Sequence, residues 1–284
     1  MTISYKNNMF SNYFFVPANK SKFLIKSEEL NEIDNRIFDF EDSIICTEID
    51  DSLNFLAQIL RKNTDWIRLP FNEKLANKIV KVTSKLGYNN YVIPKFNGYE
   101  DLKVFIESLE SFSCMKYILL IENSKSLLDL ECIIKKYKSQ IHGVGLGSHD
   151  FSFITGIENN INLLRQIRIN ILLVCKAYGI EPIDVASMNI LNMEEFNNEV
   201  LDGFRCGYRA KFILHPNQLN ALRMVQFYNK EQIKNWLQIL NYFEREVKGK
   251  EALFTYDGKV YEKMHIEQIK KIVKWGERYY GTNR

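Results

Sequence analysis

The sequence predicts an α/β protein: a (β/α)8 TIM barrel with a C-terminal helical extension that contains a short β-hairpin. Eight short apolar runs recur at fairly even intervals, helical patterns fill the gaps, and no Pro/Gly/Ser-rich linker divides the chain. Nearly continuous apolar runs are typical of parallel strands buried on both faces. Eight repeats of a strand followed by a helix are the number that closes a barrel of this kind. A doubly wound open sheet is the alternative.

The predicted strands are short, and most of them end in polar or charged residues. In barrels of this kind catalytic groups project from the carboxyl ends of the strands, so a site is expected at that rim. The predicted strands are Tyr13–Ala18, Arg36–Asp42, Asp65–Pro70, Tyr91–Phe96, Lys116–Asn123, Ile141–Asp150, Ile180–Ala186 and Lys211–Pro216.

Two of the predicted helices carry recognisable end signals. Ser124 is a candidate N-cap, because its hydroxyl could accept a hydrogen bond from a free N–H of the first turn. Gly179 follows a long helical run and fits the C′ position that favours glycine. The helical patterns are Lys20–Glu32, Asn72–Leu86, Tyr99–Phe112, Ser124–Tyr137 and Asn160–Tyr178.

The pattern changes after the eighth predicted strand. Asp257-Gly258 stands between two β-like runs, which is a strong hairpin signal. We expect residues 1–222 to form the barrel and residues 223–284 to form an extension that packs on the barrel or on a neighbouring subunit. The extension is predicted as a helix over Asn217–Lys248 broken near Asn229, a hairpin over Ala252–Tyr261 and a helix over His265–Tyr280.

Composition excludes several classes of function. The 284 residues are 46% hydrophobic and 26% charged, and the net charge of +3 is spread along the chain, so neither nucleic acid nor a membrane is an expected partner. The opening MTISYKNNMFSNYFF has no apolar stretch long enough for a signal peptide or a membrane span. Five scattered cysteines without a Cys-x-x-Cys pair indicate reduced thiols in a cytoplasmic protein.

Acidic groups and an arginine at the predicted strand ends suggest metal chemistry. Glu122 and Asp150 end neighbouring strands, and two carboxylates can share Mg²⁺ while substrate oxygens and waters fill its octahedron. Arg68 could clamp a substrate carboxylate through two hydrogen bonds. Taken singly, each of these residues also fits a salt bridge or a helix cap, and His215 fits a satisfied core histidine. The residues alone therefore leave the metal site open.

A series of segments in a fixed order resembles the HpcH/HpaI aldolase and citrate lyase β-subunit family, most closely its citrate lyase β-like branch. Each piece is weak alone, but seven or eight in the right order are specific, and they cover most of the barrel. The segments are Phe15-Val16-Pro17-Ala18-Asn19 with Lys22 and Lys26, Phe38-Asp39-Phe40-Glu41-Asp42-Ser43, Ile67-Arg68-Leu69-Pro70, Ile93-Pro94-Lys95, Ile121-Glu122, Gly147 with Asp150-Phe151-Ser152, Ala177 and Gly179 with Asp184, and Gly207-Tyr208 with Lys211 and His215-Pro216 with Gln218.

The resemblance implies a trimeric or hexameric enzyme that cleaves or forms a carbon–carbon bond. Its substrates would be a 2-oxo acid, such as oxaloacetate or glyoxylate, and a thioester of CoA or of an acyl-carrier protein. By match, Glu122 and Asp150 would be the Mg²⁺ ligands and Arg68 the binder of the substrate carboxylate. Glu41 and Asp42 would orient metal-bound water.

The sequence departs from the family pattern beside these residues. Asn123 follows the metal glutamate where threonine is common, Ala210 interrupts a Gly-Phe-x-Gly-Lys element, and Ser11-Asn12 stands for Arg-Ser. Two alternatives therefore stay open beside the thioester lyase. One is an aldolase that joins pyruvate or oxaloacetate to an aldehyde without a thioester. The other is a non-catalytic accessory paralogue that binds a carrier protein.

Overall fold

Eight parallel strands form the barrel predicted from the sequence. The computed structural model describes residues 10–109, 114–247 and 253–281, and the chain divides into two compact units, Phe10–Leu222 and a second unit that includes Arg223–Arg284. The barrel strands are β1 (Ser11–Pro17), β2 (Asn35–Asp39), β3 (Asp65–Arg68), β4 (Asn90–Ile93), β5 (Lys116–Ile121), β6 (Ile141–Leu146), β7 (Glu181–Ile183) and β8 (Ala210–Ile213).

The strands follow one another around the barrel in the order β7-β6-β5-β4-β3-β2-β1-β8, and each strand is parallel to its neighbours in this order. The seam between β7 and β8 is joined by a parallel bridge from Asp184 to Lys211. There the Asp184 N–H donates to Ala210 O at 2.8 Å, and the Phe212 N–H donates to Asp184 O at 3.1 Å. An open doubly wound sheet has no such connection between its edge strands, so the barrel prediction is confirmed.

Alternate residues of the strands fill the barrel interior. Because successive side chains of a strand point to opposite faces, every second residue enters the same core. Large side chains close the amino-terminal end of this core, where the Tyr13 hydroxyl donates to Glu181 Oε2 at 2.6 Å. The buried members are Tyr13, Ile37, Trp66, Val92, Ile118, Leu120, Ile183, Ala210 and Phe212.

Among the residues that the structure describes, ten α-helices begin within the barrel unit, and they cover the strands or extend its carboxyl-end loops. Two of them, α2 and α9, occupy gaps that the sequence patterns left unassigned. They are α1 (Ser21–Glu29), α2 (Ile49–Leu56), α3 (Glu73–Lys85), α4 (Tyr99–Ser108), α5 (Ser124–Leu128), α6 (Leu130–Tyr137), α7 (Ser148–Thr155), α8 (Arg165–Tyr178), α9 (Met193–Cys206) and α10 (Pro216–Met224).

Helix ends differ from the sequence prediction at α5. The predicted cap Ser124 was wrong: the Asn123 side chain accepts from the Ser126 N–H at 2.8 Å and is the N-cap. Asparagine is at least as good as serine in this role, so the boundary moves by one residue. The predicted Gly179 terminus is confirmed by a left-handed φ of 70°. The end of the predicted helix at Phe112 lies outside the described residues.

The sixth strand is shorter than predicted. It ends at Leu146, and helix α7 begins at Ser148, so Asp150 lies in the first turn of a helix rather than at a strand end. Gly147 is the N-cap between them. The sequence pattern of an apolar run followed by polar residues does not show where the strand ends and the short helix begins. Asp150 nevertheless lies near the predicted rim, because the helix starts at the carboxyl end of the strand.

The described part of the second unit contains the predicted helices and hairpin. Helix α11 (Lys230–Tyr242) begins after Asn229, whose side chain accepts from the Gln232 N–H at 2.8 Å, which confirms the break. Strands β9 (Leu253–Tyr256) and β10 (Lys259–Glu262) are antiparallel, and helix α12 (Lys263–Tyr280) follows. The predicted limits at Lys248 and Ala252 lie outside the described ranges.

The hairpin turn has positive φ angles at both Asp257 (48°) and Gly258 (70°). Positive φ at both central residues is the type I′ geometry that Asp-Gly favours. The apolar core of this unit consists of Ile239, Phe243, Val247, Phe254, Ile266, Ile269 and Val273. Across the described residues, no helix combines the length and the apolar character that crossing a bilayer needs.

Candidate active site

A cavity of about 490 Å³ opens at the carboxyl ends of the barrel strands. Polar groups occupy one part of its wall, and apolar side chains occupy the rest. Four of the five predicted site residues line it: Asp42, Arg68, Glu122 and Asp150. Its other lining residues are Phe15, Pro17, Asp39, Leu120, Leu146, Gly147, Ser148, His149, Ala186, Met188, Phe212 and Leu214.

The two proposed metal ligands face this cavity from the carboxyl-end segments that follow the neighbouring strands β5 and β6. Glu122 directly follows β5 and is 2% exposed, whereas Asp150 is half-buried in the first turn of α7. Glu122 Oε2 accepts from the Lys95 N–H at 2.5 Å. Within the described ranges, no hydrogen bond or ion pair reaches Glu122 Oε1 or the Asp150 carboxylate. Three carboxylate oxygens are therefore available to a ligand.

The electrostatics of Glu122 are those of a carboxylate that lacks a counter-ion. Burial, with smaller contributions from the charges of Asp150 and Glu41, raises the pKa of Glu122 to about 8, although the Lys95 N–H and Arg68 oppose this. A divalent cation between Glu122 and Asp150 would remove both the burial penalty and the repulsion.

The donor set fits Mg²⁺. Among the described residues no three His, Cys, Asp or Glu side chains form a complete metal cluster, so two carboxylates are what the protein offers. Mg²⁺ prefers oxygen ligands and commonly takes one or two carboxylates together with water and substrate oxygens. The residues present therefore fit this ion, with positions left for substrate.

Arg68 is surrounded by acids. Its Nε and Nη2 donate to the two oxygens of Asp39, both at 2.7 Å. The remaining nitrogen, Nη1, lies 3.1 Å from Glu41 Oε2 and 3.0 Å from Asp42 Oδ2. One face of the guanidinium covers the Phe15 ring at 5.1 Å. A substrate carboxylate that binds Arg68 must therefore compete at Nη1.

Lys95 completes this cluster from the end of β4. Its Nζ lies 2.7 Å from Asp42 Oδ1 and also contacts Glu41 Oε1. Burial raises the pKa of Glu41 to about 7, although Arg68 and Lys95 lower it. Burial also opposes ionisation of Asp42, but Arg68 and Lys95 hold its pKa below the ordinary value. Glu41 does not line the cavity, whereas Asp42 does.

Glycine recurs at alternate positions along β6 and at Gly147 directly after it, where neighbouring groups leave no room for a side chain. A Cβ at Gly143 would lie 3.0 Å from the backbone oxygen of Glu181, and one at Gly145 would overlap the Phe212 ring. A Cβ at Gly147 would lie 2.6 Å from Glu122 Oε1. The Glu122 carboxylate thus occupies space that a side chain at position 147 would fill.

A family model describes this arrangement. The HpcH/HpaI aldolase/citrate lyase model matches residues 12–216, which include all eight strands except the first residue of β1. The chain belongs to this family. The recognition made from the sequence motifs is therefore confirmed.

The mitochondrial citramalyl-CoA lyases of several mammals are similar to this family member. The mitochondrial citramalyl-CoA lyase of Homo sapiens is 23% identical over 291 residues, covering 91% of this chain and 83% of the relative. The enzyme of the same name from Rattus norvegicus is 22% identical over 290 residues, with the same coverage of both chains. The family and these relatives are lyases.

Solved structures share the fold. The protein CitE of Mycobacterium tuberculosis, in complex with magnesium, acetoacetate and coenzyme A, superposes with a TM-score of 0.78 at 16% identity, covering 95% of this chain and 98% of that one. A citrate lyase of Burkholderia xenovorans gives 0.76 at 16% identity, covering 95% and 92%. At these identities the likeness establishes the fold.

The departures from the family pattern do not line the cavity. Asn123 caps α5, and its Nδ2 donates to Phe96 O at 2.9 Å. Ser11 and Ala210 are partners in the β1–β8 register, at the amino ends of their strands. They are therefore far along the strands from the carboxyl-end rim where Glu122 and Asp150 lie.

Asp184, which belongs to the seventh predicted strand and to one of the family segments, does not line the cavity. It is fully buried and accepts two hydrogen bonds from Arg168, to Oδ1 and to Oδ2, each of 2.9 Å. A Cβ at Gly203 of α9 would overlap its carboxylate, which places the Asp184 side chain on the helix side of the barrel wall. His215 is half-buried rather than a core residue, and its Nδ1 accepts from the Asn217 N–H at 3.1 Å.

Proposed function

We propose that this chain is a Mg²⁺-dependent carbon–carbon lyase that splits an acyl thioester, of CoA or of a carrier protein, into a 2-oxo acid and a shorter thioester. The observation that carries the proposal is that Glu122 and Asp150 face one cavity, with Arg68 in the same wall. The naming of relatives as citramalyl-CoA lyases favours the thioester over an aldehyde. Mg²⁺ and CoA in the CitE complex support the same choice.

The site residues would divide the work as follows. Glu122 and Asp150 would hold Mg²⁺, which when bound supplies Lewis-acid stabilisation of charge on a substrate oxygen. Arg68 would bind the substrate carboxylate, and Glu41 and Asp42 would orient Arg68 and a nearby water.

The cleavage itself is a retro-Claisen or retro-aldol step. The substrate hydroxyl loses its proton and becomes the ketone of the 2-oxo acid. The carbon–carbon bond breaks, and its electron pair passes to the thioester as an enolate, which then takes up a proton. The apolar walls at Leu120, Phe212 and Leu214 would limit water around the enolate.

The test is turnover of citramalyl-CoA by the purified chain in Mg²⁺, with pyruvate and acetyl-CoA measured as products. We expect Mg²⁺-dependent cleavage, and we expect acyl-CoA to raise the melting temperature. Turnover of an aldol without any effect of CoA would favour the aldolase. Turnover of neither, with a stoichiometric carrier protein in a pull-down, would favour the accessory paralogue. Trimeric or hexameric assembly, cytoplasmic location and the assignment of residues 223–284 as an extension remain predictions.

A further inference from the structure

Lys95 is connected to both halves of the site. Its main-chain N–H donates to Glu122 Oε2 at 2.5 Å, while its side-chain ammonium contacts Glu41 and lies 2.7 Å from Asp42 Oδ1. Its φ of 56° lies in the left-handed region, which residues other than glycine, asparagine and aspartate rarely adopt. In this left-handed conformation the main-chain N–H of Lys95 contacts Glu122 while its side chain contacts Glu41 and Asp42.

The ammonium of Lys95 does not touch the cavity. Lys95 is absent from the cavity lining, where Asp42 is present, and the Lys95 side chain is 39% exposed. Any effect of Lys95 on a substrate therefore passes through Asp42 and Glu41. That makes it a candidate positioning residue rather than a catalytic one.

The need for such a residue comes from Arg68. Every nitrogen of its guanidinium faces a carboxylate, with Asp39 on Nε and Nη2, and Asp42 with Glu41 on Nη1. For a substrate carboxylate to reach Nη1, Asp42 must move away from it. If Asp42 left Arg68 without another cation nearby, a half-buried carboxylate would lose its partner, and the free-energy cost would disfavour substrate binding.

We propose that Lys95 is a positioning residue that keeps Asp42 paired when a substrate carboxylate replaces it on Arg68. Asp42 Oδ1 is already on Lys95 while Oδ2 faces Arg68, so the exchange breaks one ion pair and keeps the other. The main-chain N–H of Lys95 stays on Glu122 throughout and leaves Oε1 to the metal. This inference rests on the proposed function, because it assumes that Arg68 receives the carboxylate of a 2-oxo acid.

The decisive variants neutralise Lys95 without disturbing its backbone. Lys95→Asn tolerates a left-handed φ and keeps the N–H, and Lys95→Gly adopts that φ without strain and serves if the asparagine variant does not fold. Lys95→Arg keeps the charge and is the matched control. The double variant Asp42→Asn/Lys95→Asn removes both charges of the Asp42–Lys95 ion pair, and its pyruvate binding is compared with that of Asp42→Asn alone.

Binding of pyruvate to the Mg²⁺-loaded full chain, and of Mg²⁺ to the metal-free chain, would be measured by calorimetry. We expect Lys95→Asn to weaken pyruvate binding about tenfold, because Asp42 and Glu41 then hold Arg68 without a competing cation. The Kd for Mg²⁺ should stay within about twofold, since the N–H to Glu122 remains. In the double variant pyruvate binding should return to within about threefold of Asp42→Asn alone, because coupled residues are non-additive.

Three results would overturn the inference. Pyruvate binding by Lys95→Asn or Lys95→Gly equal to the wild type would show that the ammonium does not matter. A double variant as weak as Lys95→Asn would show that Lys95 does not act through Asp42. A wild-type chain that binds neither Mg²⁺ nor pyruvate would overturn the proposed function along with it, whereas the first two results leave the proposed function standing.

Discussion

Strands β2 and β3 carry the same ion pair twice, once at each end. At the amino end, Arg36 donates from Nε and Nη2 to the two oxygens of Asp65 at 2.7 and 2.6 Å. At the carboxyl end, Arg68 binds Asp39 in the same two-pronged way. The register pairs Arg36 with Asp65 and Asp39 with Arg68. Each guanidinium also lies 5.1 Å from an aromatic ring, Phe38 or Phe15.

The two pairs differ in what surrounds the third guanidinium nitrogen. Arg36 Nη1 is buried without a hydrogen-bond partner among the described residues, and the side chains of the pair are 1% and 0% exposed. Arg68 Nη1 faces Glu41 and Asp42 beside the cavity.

The arginine–aspartate pair by itself therefore does not mark a functional site. Arg36 and Asp65 fasten two strands where the barrel is closed. Arg68 and Asp39 connect the same strands at the end where the cavity opens. There Glu41 and Asp42 are additional carboxylates on Arg68 Nη1, and an anionic substrate can compete with them for this nitrogen. The four predictions that follow test this division between a structural end and a chemical end.

The largest effect is expected from removing a metal carboxylate at the open end. Glu122→Gln or Asp150→Asn should abolish Mg²⁺ binding and lower turnover by about 10³-fold or more, because the charge that develops in cleavage loses its stabilisation. The unfolding midpoint should not fall below that of the metal-free wild type, since each change removes a repelled charge. Calorimetry and turnover measure this, and full wild-type activity in excess chelator would contradict it.

The next largest effect is expected at the closed end. Asp65→Asn leaves the buried Arg36 charge unpaired and should lower the free energy of unfolding by about 3–5 kcal/mol. Asp39→Asn should lower it less, because Arg68 keeps Glu41 and Asp42. Chemical denaturation of the two variants gives the comparison, and equal losses would show that the ends are not different.

Replacing each arginine with lysine should affect KM at the open end of the barrel and stability at the closed end. Arg68→Lys keeps the charge but cannot bind Asp39 and a substrate carboxylate together, so we expect KM to rise by about 10- to 100-fold. Arg36→Lys should leave KM unchanged and lower stability instead. Steady-state kinetics on both variants measure the split, and a raised KM in Arg36→Lys would remove the distinction.

The smallest effect concerns the polar cluster inside the closed end. Burial opposes ionisation of Glu181, but hydrogen bonds from His142 and Tyr13 hold its pKa below the ordinary value of 4.5. A lowered pKa stabilises the fold above the unfolded value, and this contribution is lost as the pH falls through the folded value. Tyr13→Phe should therefore cost about 1 kcal/mol at neutral pH and less in acid. Thermal unfolding from pH 7 to pH 3 measures it, and a constant difference across that range would refute the link to Glu181.

The sequence was sufficient for the eight strands and the family, because short apolar runs and ordered motifs are local features. It could not show that Asp184 turns towards Arg168 and away from the cavity, since a shift of one residue in strand phase reverses the side to which a side chain points. It also could not show that a main-chain N–H of Lys95 serves Glu122. That contact depends on a left-handed backbone angle and not on the type of side chain. The short helix that carries Asp150 was missed because Gly147 separates it from β6 by one residue.

Gly143 and Gly145 on β6, together with Gly147 directly after it, restrict redesign of this part of the barrel. A Cβ at position 143 would crowd the peptide oxygen of Glu181, one at position 145 would overlap the Phe212 ring, and one at position 147 would overlap the carboxylate of Glu122. Attempts to admit a bulkier acid should leave these three positions alone and enlarge the cavity at other lining residues, such as Met188 or Leu214. Conversely, Gly147→Ala offers a way to switch off the chemistry through shape alone, with every charged group still present.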